Sequence, residues 1–176
     1  MKFSPTSIAG AYLVEAEPFA DDRGYFARTW SSQSASGLDI ITELPECSLS
    51  YNKQRGTLRG MHYQASPHAE TKLVSSARGR FFDAIVDLRP ESASYLQSFA
   101  TELSLENGRQ LYVPAGCAHG FLTLDDHCYV RYQITDTYTP DAGRGVRWND
   151  PLFGIDWPAE PVVIAERDAS YEDYSA

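Results

Sequence analysis

Phe82-Asp83-Ala84-Ile85-Val86-Asp87-Leu88 alternates with a period of two: Phe82, Ala84, Val86 and Leu88 share one face, while Asp83 and Asp87 take the other. Successive side chains of a strand point to opposite sides, so this run predicts a β-strand with two unlike faces. Cys128-Tyr129-Val130-Arg131-Tyr132-Gln133-Ile134 repeats the pattern, with Tyr132 on the apolar side beside Val130 and Ile134. Outward from these two, runs rich in aromatic and β-branched residues predict strands over 10–14, 25–30, 57–63, 72–77, 99–105 and 109–113. Turn signals such as Asp22-Arg23-Gly24, Arg55-Gly56, Arg78-Gly79, Asn107-Gly108 and Pro114-Ala115-Gly116 separate them. Only 40–44 and 168–174 offer short stretches of helical character. Many short strands at turn-marked intervals predict an all-β fold with short peripheral helices, a closed barrel or jelly roll with room for a small ligand inside.

The chain has 176 residues, 43% of them apolar and 22% charged. That is the composition of a globular protein, and its length suits one domain with a core of its own. The net charge of −9 argues against sequence-independent binding to nucleic acid, whose phosphates need a positive field. Cys47, Cys117 and Cys128 are odd in number and lack a CxxC spacing, which predicts reduced thiols in a cytoplasmic protein. Residues 1–10 carry no basic segment followed by an apolar run, so no secretory leader is expected. No stretch approaches the length of a membrane span.

Four histidines could carry chemistry. His62 lies in Leu58-Arg59-Gly60-Met61-His62-Tyr63-Gln64, and His119 follows the turn at Pro114-Ala115-Gly116. A histidine entering a barrel interior is a candidate acid or base, since its pKa lies near working pH. The plainer reading of each is a structural histidine with satisfied hydrogen bonds, and composition alone favours it. His68 and His127 sit among turn and acidic residues and read as surface groups. A metal bound by several barrel histidines is not expected. The position two after His62 is Gln64, and His62 with His119 makes a poor ligand set. Tyr132 is either a core tyrosine or a general acid facing a cavity. Lys72 is either solvated or placed to stabilise an oxyanion. Arg23, Arg59 and Arg167 are ordinary surface residues or paired donors for a diphosphate. No phosphate-binding loop, nucleophile elbow or HExxH motif occurs.

Gly56-Thr57-Leu58-Arg59-Gly60-Met61-His62-Tyr63-Gln64, Pro67-His68-Ala69-Glu70 with Lys72-Leu73-Val74, and Phe82-Asp83-Ala84-Ile85-Val86-Asp87-Leu88-Arg89 resemble the dTDP-4-dehydrorhamnose 3,5-epimerase family. So do Ala118-His119-Gly120-Phe121-Leu122-Thr123-Leu124, Thr135-Asp136-Thr137-Tyr138, Arg147-Trp148-Asn149-Asp150-Pro151 and Gly154-Ile155-Asp156-Trp157-Pro158. The likeness spans nearly the whole chain in order. It implies a cupin-type jelly roll over residues 1–176, with a core at roughly 45–150 and the N-terminal strands and C-terminal segment packed on it. It also implies a homodimer in which an N-terminal segment borders the partner's site, and no cofactor or metal. By position, His62 matches the family's base, Asp168 the carboxylate that orients it, Tyr132 the acid and Lys72 the lysine near the substrate's ketone oxygen. Arg59, His119 and Tyr138 match substrate contacts. Arg23 matches a residue that reaches the diphosphate, and Phe19 a contact to the nucleotide. Strict alternation puts Arg59 and His62 on opposite faces, so if both line one pocket a bulge or a sharp twist must intervene, or Arg59 must act from a strand end.

The chain departs from the family pattern around the nucleotide. Arg28 stands where a glutamate is usual, Glu46 and Ser48 where glutamine and asparagine are common, Gly143 in place of a glutamate and Arg167 in place of a lysine. Lost hydrogen-bond partners weaken recognition of a base, so an altered nucleotide or sugar is one expectation. The resemblance leaves three readings: a 3,5-epimerase of a nucleotide-linked 4-keto-6-deoxyhexose, an epimerase of one centre or of another nucleotide sugar, and a cupin-like module that binds without turnover.

Overall fold

The computed structural model describes residues 1–175 as two facing sheets with almost no helix. The first sheet runs in the order β1 (Lys2–Pro5), β2 (Tyr12–Glu15), β10 (Arg109–Val113), β7 (Lys72–Arg78), β12 (Cys128–Ile134) and β5 (Glu46–Asn52). The second runs β13 (Gly143–Gly145), β6 (Thr57–Gln64), β11 (Cys117–Thr123), β8 (Phe81–Asp87) and β9 (Ser98–Leu103). All pairings are antiparallel except that of β14 (Val163–Ile164), which lies parallel to the start of β6. Strands β3 (Phe19–Asp21) and β4 (Gly24–Phe26) form a hairpin of their own. A single turn of helix, α1 (Glu166–Ala169), follows β14. This is the cupin-like jelly roll expected from the strand pattern.

Apolar side chains fill the space between the sheets and cover part of each outer face, which gives three layers. Val74, Leu111, Val113 and Val130 of the first sheet meet Phe81, Ile85, Leu103 and Phe121 of the second between the sheets. Outside the second sheet, Leu58, Met61, Ala84, Val86 and Leu122 are roofed by Val146, Trp148 and Phe153, with Trp157 against them. Outside the first, Val14, Leu73 and Tyr112 lie under Trp30, Ile40 and Leu44. Each large side chain fully buried in these layers stabilises the fold by roughly 1.5–3 kcal/mol.

This layering explains where the strand pattern misled. On β8 the richer apolar face, Phe82 to Leu88, packs outward under the C-terminal roof, while Asp83 looks inward with Phe81 and Ile85. The strand expected over 25–30 stops at Phe26. Residues 40–44 are not helical; their apolar side chains serve the outer layer. The helix expected over 168–174 is only Glu166–Ala169.

Arg59 and His62 do lie on the same side of β6. His119 pairs with His62 and Phe121 with Arg59, so two steps along β11 match three along β6. The extra residue is a bulge at Gly60–Met61, and it restores both side chains to the interior. Glycine is required here. Gly60 has φ +134°, and a Cβ on it would stand 2.5 Å from Gly120 Cα.

Candidate active site

The interior opens into a cavity of about 530 Å³ between the two sheets, a size typical of small-ligand pockets. Arg59 and His62 on β6 and His119 on β11 reach it from the second sheet; Lys72 on β7, Tyr132 on β12, and Glu46 and Ser48 on β5 reach it from the first. Tyr138 and Arg167 stand in the same wall. A ligand in the cavity therefore has the imidazole and the phenol on walls contributed by different sheets.

Behind His62 lies Asp168. Its Oδ1 is 2.7 Å from His62 Nε2, and its Oδ2 accepts the Gly60 N–H at 3.2 Å. Burial raises the Asp168 carboxyl, but the hydrogen bonds and charge of His62 and the Gly60 N–H outweigh it and hold the group below the usual carboxylate range. An ionised Asp168 accepts from Nε2–H, which leaves Nδ1 as the basic nitrogen. The ring is 41% exposed, so protons it collects can pass to water.

Across the cavity, burial pushes the Tyr132 hydroxyl well up, and the nearby Asp83 carboxylate adds to the shift. Tyr132 is therefore a phenol at neutral pH, a proton donor and not a base. His119 packs edge-on against it, with ring centroids 5.9 Å apart. His119 Nε2 is 2.7 Å from Asp83 Oδ1. Asp83 is fully buried and its Oδ2 has no hydrogen-bond partner among the described residues. Burial raises its carboxyl, more than His119 and Lys72 lower it. Lys72 is itself buried, and its Nζ sits 2.9 Å from Glu70 Oε1.

Ten of the thirteen expected site residues thus meet at one place: nine in the cavity wall and Asp168 behind His62. Phe19, Arg23 and Arg28 do not. Phe19 is 79% exposed on the β3–β4 hairpin, Arg23 pairs with its neighbour Asp21, and Arg28 is exposed beyond β4. The hairpin bonds to itself and contributes no residue to this cavity wall, so these three are not gathered with the rest. His68 and His127 lie at the surface, the first 3.4 Å from Asp136 and the second bonded to Tyr51. Two functional groups were missed. Asp83 stands with Asp87 on the face opposite Phe82, Ala84, Val86 and Leu88, and the alternation gives that face no task. Glu70 carries no pattern that assigns it a task; its place two residues before Lys72 is the available signal. Among the described residues no group of three or more His, Cys, Asp or Glu could hold a metal ion.

A carboxylate-bonded imidazole and a protonated phenol on walls from different sheets, with cationic side chains in the same cavity, form an arrangement with the chemistry of an acid–base site. The model of the dTDP-4-dehydrorhamnose 3,5-epimerase family matches residues 5–175. The chain is 40% identical to the Methanothermobacter thermautotrophicus dTDP-4-dehydrorhamnose 3,5-epimerase, over 97% of this chain and 93% of the relative. The Bacillus anthracis enzyme of that name, solved with TDP and PPi bound, superposes with a TM-score of 0.92 at 37% identity, over 98% of this chain and 99% of that one. The Legionella pneumophila epimerase in complex with dTDP-4-keto-L-rhamnose does so with a TM-score of 0.89 at 34% identity, over 98% and 92%. This chain belongs to the dTDP-4-dehydrorhamnose 3,5-epimerase family.

Proposed function

We propose that this protein is a 3,5-epimerase of dTDP-4-dehydro-6-deoxy-D-glucose, an isomerase that removes and returns protons beside the C4 ketone. The observation that carries this is the placing of the His62–Asp168 pair and Tyr132 on opposing sheets around one cavity. The ketone acidifies the hydrogens on C3 and C5. His62 Nδ1 takes one; the C–H electrons move into the ring and the ketone oxygen becomes an enolate. Lys72, with Arg59 and His119 as further donors, offsets that charge. The Tyr132 O–H then breaks, its proton bonds to carbon from the other side, and the centre inverts. The imidazolium gives its proton to water and the phenolate regains one, ready for the second centre. The ketone is its own electron sink, so the scheme calls for no cofactor or metal. Glu46, Ser48, Tyr138 and Arg167 are left for the rest of the nucleotide sugar.

Solvent deuterium tests the reading. With the dTDP-linked 4-keto sugar in D₂O, label should enter at both C3 and C5, and faster than with the UDP-, CDP- or GDP-linked analogues. Label at one carbon would make this a single-centre enzyme, no label a binding module, and preference for another base would reassign the nucleotide, which is where Arg28, Glu46, Ser48, Gly143 and Arg167 bear on the outcome.

The whole chain acts as one domain on this reading, in the cytoplasm, where its three free cysteines stay reduced. Among the described residues no helix is long and apolar enough to cross a membrane. The working form is a homodimer. Phe19, Tyr25 and Phe26 on the hairpin are 79%, 64% and 74% exposed, and Leu49 and Tyr51 are exposed on β5, a sheet edge. An exposed apolar hairpin that takes no part in its own cavity suits insertion beside a second copy's, carrying Phe19, Arg23 and Arg28. Sedimentation should give the mass of two chains, and Phe26→Asp should shift it toward one; a monomeric wild type would refute the pairing.

A further inference from the structure

Glu70 and Lys72 form an ion pair in the cavity wall, with side chains only 11% and 10% exposed. The carboxylate is held at both ends. Its Oε1 faces the ammonium at 2.9 Å, and its Oε2 accepts from Gln64 Nε2 at 3.0 Å. Gln64 is 3% exposed and cannot turn over. The same nitrogen donates to the His68 carbonyl at 3.0 Å, while its Oε1 accepts the Thr139 N–H at 2.7 Å. Glu70 is thus fixed from the bulged strand β6 and tied through Gln64 to the segment that presents Tyr138. Burying one charge of such a pair without the other is costly, so the two side chains hold each other in place.

We propose that Glu70 is a positioning residue that holds the Lys72 side chain aimed at the ketone oxygen, so that Gln64, Glu70 and Lys72 work as one unit. The inference rests on the proton-transfer reading of the site. A charge that matters only once the enolate forms acts on turnover and not on ground-state binding. Glu70→Gln is close to isosteric. It should lower kcat for epimerisation of the dTDP-4-keto sugar roughly tenfold, less than loss of an oxyanion donor outright, with KM within about twofold. Glu70→Asp keeps the charge and should recover part of kcat. In a Lys72→Met background, Glu70→Gln should change nothing further, because its target is gone. If Glu70→Gln slows the Lys72→Met enzyme as much as it slows wild type, or if kcat and KM fall and rise together, Glu70 acts by itself or holds the fold and the inference fails. If wild type shows no exchange at all, it is the reading of the site that fails.

Discussion

His62→Asn should lower exchange at both C3 and C5 together, by roughly 10³-fold. Asparagine is small enough for the space and can still meet Asp168, but it has no basic atom. A loss of that order corresponds to about 4 kcal/mol of transition-state stabilisation. The two positions should fall in step because a single imidazole faces the cavity with its second nitrogen tied to a carboxylate; the other imidazole in the wall, His119, is bonded to Asp83, which burial drives toward its neutral form. Exchange measured by proton NMR in D₂O reads both carbons at once. If C3 went silent while C5 kept its wild-type rate, a second base would be at work and the single-base scheme would be wrong.

Tyr132→Phe should separate two quantities that move together in wild type. Without the phenol, His62 can still take a proton, pass it to water, and return a deuteron to the side from which it came. Inversion should drop by roughly 10²-fold or more, while label continues to enter with retained configuration, so the ratio of exchange to inversion rises. Product stereochemistry by coupling constants, set against isotope content by mass spectrometry, gives that ratio. Equal loss of exchange and inversion would mean that Tyr132 does not supply the opposite-side proton. The direction of its hydroxyl shift matters here: burial is the main cause and holds the group protonated, which makes it an acid waiting for a carbanion.

Much of this architecture could be read beforehand, and the failures have physical causes. The two alternating runs at 82–88 and 128–134 became β8 and β12 because each has faces of different polarity. No strand was expected over β11 because Cys117-Ala118-His119-Gly120 is small and buried on both faces, so no alternation survives. Strand β5 escaped because an exposed edge strand, Glu46-Cys47-Ser48-Leu49-Ser50-Tyr51-Asn52, has almost no buried side to reveal it. The bulge in β6 was anticipated from the conflict between Arg59 and His62. The pairing of His62 with Asp168 came only from the resemblance, since 106 residues separate them and no local pattern spans that distance. The hairpin residues Phe19 and Arg23 show the opposite limit: their expected task concerns a second molecule, and nothing in one chain's own packing points to it.

The unpaired residue in β6 has a consequence for how this site can change over time. Arg59 and His62 share the interior only because the strand is one residue longer than its partner between them. Exchanging side chains along the segment alters contacts one by one, but shortening it by a single codon would turn the imidazole into the greasy outer layer and leave its carboxylate facing the wrong group. Drift in this stretch is therefore tolerant of spelling and intolerant of length, and a variant library meant to reshape the pocket should vary letters there and never insert or delete.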